Sequence, residues 1–174
     1  MALVFQYGSN TSSKRLNSED RLKGDACRVG IAYTEEDYEL AFDIWSTTNN
    51  CAAADIIPDS GRKIWGVLYE IPEYLIFRET SGDRKSLDQM EGESTNYKRV
   101  TIALLNPDGS KIQEKVITYI GKNRKKGIKT SWDYVCHIFN GLHENDVPSE
   151  YIDYVKEQII DNNPDLKTRI ETLD

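Results

Sequence analysis

The spacing of apolar residues changes once along this chain, and that change constrains the fold more than any other feature. Before about residue 120, apolar residues alternate with polar ones or form short runs, as at 38–44 and 64–71, which is typical of β-strands. From Thr130 onward they recur at helical spacing. Strands followed by helices indicate an α+β fold. We expect a mixed, barrel-like β-sheet packed against helices, with the helical C-terminal part beginning at about residue 130.

Turn residues divide the strand-rich part into two predicted hairpins. Pro58-Asp59-Ser60-Gly61 stands between a run of small and apolar residues at 51–57 and the strong strand at 64–71, so these segments are predicted to pair. Asn106-Pro107-Asp108-Gly109 has proline at the second and glycine at the fourth position of a turn, and alternating segments flank it. It predicts the second hairpin.

Two helices are predicted in the C-terminal part. The apolar stripe of the first begins at Trp132, and Gly141 is predicted to end that helix, since glycine commonly follows a last helical turn. Ser149 is predicted to cap the second helix. This second helix should stop at Asn162-Asn163-Pro164.

Composition narrows the class of protein and the kind of partner. With 174 residues and 39% apolar content, the chain should form a single domain over residues 1–174. Its net charge of −7 disfavours nucleic acid and anionic membranes as partners, because both bind basic surfaces, and favours a small molecule. The sequence lacks signal-peptide features and an apolar run approaching ~20 residues. We therefore expect a soluble, cytoplasmic protein.

The cysteines and histidines give no indication of a metal site. Cys27, Cys51 and Cys136 are odd in number and lack zinc-like spacing, so we expect reduced thiols, as is usual in the cytoplasm. His137 and His143 do not share a helix face and have no acidic or thiol neighbour at ligand spacing. We predict neither a metal nor another cofactor.

Two segments carry the residues most suited to chemistry. The apolar run 2–5 leads into Gly8-Ser9-Asn10, where glycine frees the backbone and successive N–H groups can point at an anion. Glu91 ends a polar segment of helical character, 83–90, and Gly92 permits a turn that could aim its carboxyl group into a cleft. Read alone, these are an ordinary turn and an exposed carboxylate. Together, an acid facing an anion cradle suggests proton transfer.

The order of several motifs is more specific than any one of them. These motifs are Tyr7-Gly8-Ser9-Asn10, Trp65-Gly66-Val67-Leu68-Tyr69, Leu87-Asp88-Gln89-Met90-Glu91-Gly92 before Tyr97-Lys98-Arg99-Val100, Tyr119, Asn140-Gly141-Leu142 and the segment 147–152. Over residues 4 to about 158 the chain thereby resembles the gamma-glutamylcyclotransferase family, which is related to the AIG2-like fold. Thr11 departs from the bulky apolar residue often found there, and residues 45–50 do not fit the family pattern. Substrate selectivity is one role open to residues 45–50.

The resemblance implies an enzyme that cyclises a γ-glutamyl group. The substrate's own α-amine attacks its side-chain carbonyl and releases 5-oxoproline and a free amino acid or amine, without a metal or cofactor. Glu91 would act as general acid and base, taking a proton from the ammonium and returning it to the departing amine. That role needs partial burial, because a carboxylate with its ordinary pKa of ~4.3 is a poor base for an ammonium.

The resemblance also implies a set of substrate-binding residues. The N–H groups of the first loop would hold either the oxyanion or the α-carboxylate, and tyrosines would donate hydrogen bonds to the substrate or orient Glu91. For each tyrosine the alternative is a core residue with a satisfied hydroxyl. The implied residues are Tyr7, Gly8, Ser9, Asn10, Tyr97 and Tyr119.

Several alternatives stay open at the level of sequence. A binding module that holds a γ-glutamyl or related ligand without turnover is the second functional hypothesis, since a fold does not guarantee chemistry. The leaving group is undetermined, and so is the acceptance of glutathione. The basic run 122–127 could overhang the cleft and steer an anionic substrate, and the sequence leaves open whether residues 122–129 close over the site as a lid. The sequence does not decide whether the C-terminal helices mediate a homodimer.

Overall fold

The computed structural model describes residues 1–58 and 61–173 and centres on a curled six-stranded sheet. The strands are β1 (Ala2–Gln6), β2 (Cys27–Thr34), β3 (Tyr38–Ser46), β4 (Cys51–Pro58), β5 (Trp65–Ile71), β6 (Tyr97–Ile102), β7 (Leu104–Leu105) and β8 (Val116–Gly121). The helices are α1 (Ser13–Leu16), α2 (Leu87–Glu91), α3 (Trp132–Glu144), α4 (Ser149–Asn162) and α5 (Lys167–Glu171). Short 3₁₀ turns lie at Ser9–Thr11, Glu73–Leu75 and Pro164–Leu166.

Strand β1 lies in the interior of the six-stranded sheet, whose order is β6-β8-β1-β5-β2-β7. It pairs antiparallel with β5 and parallel with β8, so the sheet is mixed and the predicted α+β class with a barrel-like sheet is confirmed. Val4 and Phe5 are almost fully buried, as the two faces of an interior strand require. The loop that follows β1 therefore emerges between two neighbouring strands.

The predicted hairpin between residues 51–57 and 64–71 is wrong. Strand β4 pairs instead with β3, with Ser46 opposite Cys51, and the two form a separate two-stranded sheet. Strand β5 is largely buried and pairs with β1 and β2, which leaves it no edge for β4. The connecting turn follows β3, where Asn50 adopts a positive φ of 51° that asparagine tolerates. Of the turn predicted at 58–61, Asp59 and Ser60 lie outside the described residues.

The second predicted hairpin is confirmed. Strand β6 pairs antiparallel with β8, from Tyr97 opposite Gly121 to Ile102 opposite Val116. At the predicted turn, the N–H of Gly109 donates to the carbonyl of Asn106 at 2.8 Å. Strand β7, which comes before this turn, leaves the hairpin and pairs with β2 at the far edge of the sheet.

Gly141 does not end α3, contrary to the sequence-based prediction. The helix continues to Glu144, and Gly141 lies at its contact with the loop after β1. A Cβ atom at this position would overlap the backbone nitrogen of Ser12 and the Oγ1 atom of Thr11. The glycine is therefore required for close approach of helix and loop, a tertiary demand that local helix rules do not reveal.

The N-cap predicted at Ser149 for the second C-terminal helix is wrong, whereas the predicted end of that helix is confirmed. Pro148 occupies the N-cap position of α4, Ser149 is the first helical residue, and no side chain caps the helix. The helix ends at Asn162, two residues before Pro164, as the sequence indicated. Within the described ranges, no helix combines the length and apolar content needed to cross a bilayer.

Two carboxylates, the buried Asp55 and the half-buried Asp43, fix the basic segment 122–129 to the sheet. Asp55 is fully buried and accepts hydrogen bonds from the N–H of Gly121 at 2.6 Å and from Nε of Arg124 at 2.7 Å. Asp43 also faces Arg124, with 3.9 Å between its Oδ2 and Nε of the arginine. Burial and the neighbouring charge of Asp55 raise the pKa of Asp43 to about 6.

We expect Gly141→Ala to destabilise the protein, although alanine normally favours a helix over glycine. Overpacking typically costs about 1–3 kcal/mol, and here the new methyl group meets loop backbone that cannot rotate away. Urea unfolding measures the change. Gly30→Ala is the matched control, because a Cβ there meets no atom within 4 Å. Equal stability of the two variants would contradict the packing explanation.

Asp43→Asn should change how stability depends on pH. The folded protein has an Asp43 pKa of about 6, against an ordinary value of 3.8, so it binds more protons than the unfolded chain between these values. Its free energy of unfolding should therefore fall as pH rises through that window. Asparagine mimics the protonated acid, so the variant should gain stability over the native protein with rising pH. Chemical denaturation across the window tests this, with the exposed Asp83→Asn as control.

Candidate active site

The loop after β1 is a tight 3₁₀ turn closed by its own hydrogen bonds. The N–H and Oγ1 of Thr11 both donate to the carbonyl of Gly8, at 3.0 and 2.8 Å. A Cβ on Gly8 would lie 3.2 Å from Cβ of Ala54 and 3.3 Å from the Tyr134 hydroxyl, closer than most side chains tolerate. Thr11, although polar, is fully buried because its hydroxyl is satisfied inside the loop.

This loop also leaves backbone donors available. Among the described residues, none accepts a hydrogen bond from the N–H groups of Gly8, Ser9 or Asn10. These donors lie in a loop whose side chains are otherwise well packed, since Ser9 and Asn10 are buried. A ligand anion beside the loop would satisfy them.

Glu91 lies at the end of α2 and contacts this loop. Helix α2 begins with a capping box formed by Ser86 and Gln89, and it ends at Glu91 because Gly92 takes the left-handed conformation, with φ of 61°. Asn10 donates from Nδ2 to Oε1 of Glu91 at 2.8 Å. The structure thus places the carboxyl group next to the loop, as the sequence hypothesis requires.

Two cavities meet at Glu91. The larger has a volume of about 160 Å³ and the smaller about 30 Å³. Only the smaller is lined by Tyr7 and Gly8, so it lies against the loop after β1. The larger extends toward the turn between β3 and β4. The residues that line both are Ser9, Asn10, Glu91, Tyr97 and Tyr134.

The surroundings of Glu91 make its carboxyl group a better base than an exposed one. Burial raises the pKa of Glu91 above its ordinary value, because the charged form loses hydration. The positive charges of Arg21 and Arg15, and the hydrogen bond from Asn10, each oppose that rise in pKa. The raised pKa has the direction that proton transfer near neutral pH needs.

The three tyrosines of the sequence hypothesis lie in or beside the site, but their hydroxyl donors are engaged elsewhere. Tyr7 donates to the carbonyl of Tyr119 and Tyr97 to the carbonyl of Ala54, each at 2.6 Å. Tyr119 donates to Oδ1 of Asp88 at 2.7 Å. In this structure they line the cavities, and each hydroxyl proton is directed to an acceptor within the protein. The predicted donation to substrate therefore does not fit Tyr7, Tyr97 or Tyr119 in this structure.

Tyr134 is a site residue that sequence reasoning missed. Its hydroxyl accepts a hydrogen bond from the N–H of Ala54 at 2.9 Å and also interacts with the side chain of Ser9. It lines both cavities from α3. The signal in the sequence was weak: a tyrosine next to the apolar stripe of a predicted helix.

Arg15 and Arg21 were also missed, because the polar segment 11–24 gave only the expectation of a long loop with a helical turn. Arg15 donates from Nε to Oγ of Ser9 at 3.2 Å and from Nη2 to Oδ1 of Asn49 at 2.6 Å. Arg21 donates from Nη2 to Oδ1 of Asn10 at 2.9 Å. Basic side chains shortly after an anion-binding loop were the available signal.

The roles of residues 45–50 and 122–129 were left open by the sequence, and the structure places the two segments differently relative to the site. Trp45, Ser46, Thr47, Thr48 and Asn49 line the larger cavity, so this part of residues 45–50 contacts whatever binds there. The segment 122–129 lines neither cavity at Glu91. It runs beside β3, where the N–H of Lys125 donates to the carbonyl of Asp43 at 2.7 Å. Steering by an overhanging basic segment is therefore not supported.

Comparison with protein families gives a match that agrees with this geometry. Residues 4–135 match the family model described as "Gamma-glutamyl cyclotransferase, AIG2-like". The chain belongs to the gamma-glutamyl cyclotransferase, AIG2-like family. The resemblance stated from the motifs is thereby confirmed, and every residue that lines the two cavities falls within the matched segment of the family.

Solved structures show the same fold. The chain is similar to a structure named "Gamma-glutamyl cyclotransferase", with 24% identity, a TM-score of 0.75, and 89% of this chain and 86% of that one covered. It is similar to the uncharacterized protein loc79017 from Homo sapiens, with 25% identity, a TM-score of 0.73 and the same coverage of 89% and 86%. YkqA from Bacillus subtilis matches at 22% identity and a TM-score of 0.72, over 91% of this chain and 54% of YkqA. A search of curated proteins returned no significant match.

We expect Arg21→Gln to raise the pKa of Glu91 further. Arg21 is the group that most opposes the effect of burial, and loss of its charge favours the protonated carboxyl. A ¹³C NMR titration of the Glu91 carboxyl carbon measures the pKa directly. Lys14→Met, which removes an exposed charge outside both cavities, should leave it unchanged. A lowered pKa in Arg21→Gln would contradict the assignment.

Proposed function

We propose that the protein is a gamma-glutamyl cyclotransferase that converts a γ-glutamyl amino acid or amine into 5-oxoproline. The α-amine of the glutamyl group attacks its γ-carbonyl, a new C–N bond closes the ring, and the original amide bond breaks. The free amino acid or amine leaves with the proton that the attacking amine gave up. The observation that carries this proposal is the position of Glu91, a carboxyl group with raised pKa beside the loop at 8–10.

Glu91 would move the proton. The α-amine of a bound substrate is protonated at neutral pH and cannot attack until a base removes a proton. The raised pKa of Glu91 brings its proton affinity nearer to that of the ammonium. Once protonated, the same carboxyl group can deliver the proton to the leaving nitrogen. Asn10 fixes the carboxyl group for both steps through its 2.8 Å hydrogen bond.

The loop and Tyr134 would stabilise the charge that develops on oxygen. The N–H groups of Gly8, Ser9 and Asn10 lack acceptors within the described residues, and the Tyr134 hydroxyl, which contacts Ala54 and the Ser9 side chain, lines both cavities and would donate to a ligand oxygen. Such preorganised donors hold either the oxyanion of the tetrahedral intermediate or the α-carboxylate of the glutamyl group. The nucleophile is part of the substrate, so binding in a folded shape supplies much of the rate enhancement. This scheme requires no covalent enzyme intermediate and no cofactor.

Replacing Glu91 with glutamine should abolish most of the turnover and preserve substrate binding. Loss of a general acid and base typically lowers the rate by about 10²–10⁴-fold. The assay measures 5-oxoproline release by mass spectrometry from γ-glutamyl dipeptides, γ-glutamyl amines and glutathione, with calorimetry for binding. Glu93→Gln is the matched control, because this nearby glutamate lines neither cavity.

The outcomes separate the proposal from its alternative. Full activity of Glu91→Gln would remove Glu91 from the mechanism. Binding without 5-oxoproline release by the native protein, across the whole panel, would favour the binding module. In that case a binder that uses the Glu91 charge should lose affinity in the glutamine variant.

A further inference from the structure

The larger cavity is cationic in a protein that is acidic as a whole. The chain has a net charge of −7. Yet the charged residues lining this cavity are the cations Arg15, Arg21 and Lys85 and the single carboxylate Glu91, which leaves an excess of positive charge. Clefts of one sign concentrate ligands of the opposite sign. A bound ligand should therefore carry more negative than positive charge in this cavity.

The three cations differ in the number of hydrogen bonds that they already form within the protein. Arg15 is engaged with Ser9 and Asn49. Arg21 has one hydrogen bond, to Asn10, and its buried Nε has no partner among the described residues. Lys85 is exposed at the cavity wall. Within residues 1–58 and 61–173, neither Arg21 nor Lys85 forms an ion pair, so both have donors left for a ligand.

One acid outside the cavity, Asp20, interacts with Arg21 and Lys85 but does not neutralise them. Asp20 lies close enough to Arg21 and Lys85 for their charges to help lower its pKa. Its carboxylate is exposed and accepts a hydrogen bond from the hydroxyl of Ser18 at 2.6 Å. Because exposed charges are strongly screened, Asp20 leaves the positive character of the cavity in place.

A charge count of candidate substrates shows what these donors would meet. A γ-glutamyl amino acid has one ammonium and two carboxylates, whereas a γ-glutamyl amine lacks the carboxylate of the leaving group. In the proposed function Glu91, which lines both cavities, would face the ammonium, and the N–H groups of the loop at 8–10 would bind the glutamyl part. A second carboxylate would need its own donors, and Arg21 and Lys85 line only the larger cavity.

The contact of Arg21 and Glu91 with one shared side chain limits the distance between the second site and the acid. Both contact the same amide: Arg21 donates to Oδ1 of Asn10, and Nδ2 of Asn10 donates to Glu91. The guanidinium therefore lies one amide group away from the acid that would protonate the leaving nitrogen. In an α-amino acid the carboxylate carbon is two bonds from that nitrogen, so both groups can be reached at once.

We propose that Arg21 and Lys85 form an anion subsite for the carboxylate of the leaving amino acid, which makes γ-glutamyl amino acids better substrates than γ-glutamyl amines. The inference rests on the proposed function and adds the chemical class of the leaving group. Arg21 is the half-buried, directional donor, and its planar guanidinium suits a carboxylate. Lys85 contributes a charge at the mouth.

The test uses two substrates that differ only in that carboxylate, γ-glutamyl-alanine and γ-glutamyl-ethylamide. The native protein should prefer γ-glutamyl-alanine by about tenfold or more in kcat/KM, as sites built for a charged hydrogen bond usually discriminate. Arg21→Gln should bring the ratio close to one, mainly through the KM of γ-glutamyl-alanine. Lys85→Met should lower the ratio by about two- to fivefold, less so at high salt.

Comparing the two substrates as a ratio of kcat/KM removes the main confounding effect, which is a change in Glu91. Arg21 also lowers the pKa of Glu91, and any change in Glu91 alters both substrates alike. Lys14→Met, an exposed lysine outside the cavities, should keep the native ratio. Equal losses on both substrates in Arg21→Gln would place Arg21 at the glutamyl part and overturn the subsite. A native preference for the ethylamide, or none, would overturn it too.

Failure of the proposed function has a different signature. If neither compound yields 5-oxoproline, calorimetry compares their binding to the native protein and to Arg21→Gln. Tighter binding of γ-glutamyl-alanine that disappears in the variant supports the subsite without the enzyme. Equal binding of the two compounds to the native protein overturns the subsite as well.

Discussion

Placement of the loop after β1 depends on hydrogen bonds that come from distant parts of the chain. The carbonyl of Thr11 accepts from the hydroxyl of Tyr69 at 2.9 Å and from Nδ2 of Asn145 at 3.3 Å. The N–H of Ser13 donates to Oε1 of Glu144 at 2.7 Å. Strand β5 and the end of α3 therefore hold one short loop between them, and the close approach allowed by Gly141 is part of the same arrangement. The free N–H groups keep their direction because the rest of the loop is fixed.

Sequence reasoning succeeded where the signal was local. The turn residues at 106–109 determine the β6–β8 hairpin, and Gly92 marks the end of the helix that presents Glu91. It failed where a distant partner decides the outcome. Gly141 reads as a helix end until the loop packs against it, and β4 pairs with β3 because β5 already has neighbours on both sides. Local rules contain no information about such contacts.

Predictions for the site also succeeded for local features and failed for long-range contacts. The motif order indicated the loop and Glu91, and the structure brings them within hydrogen-bonding distance. The motif order could not indicate that the hydroxyls of Tyr7 and Tyr97 donate to backbone carbonyls, because those carbonyls come from β8 and β4. Nor could it show that the arginines after the loop turn back toward it. The polar residues of the site serve mainly to hold one another, which leaves a few donors and one acid for a ligand.

The long-range contacts at Thr11 also bear on how the protein is made. The loop belongs to the start of the chain, yet Asn145 and Glu144 close it from 134 and 131 residues away. Pairing of β1 with β8 spans a similar separation. Native contacts of such separation slow folding, because much of the chain must be ordered before they form. During synthesis the loop after β1 leaves the ribosome before α3, and the site closes only after α3 has followed.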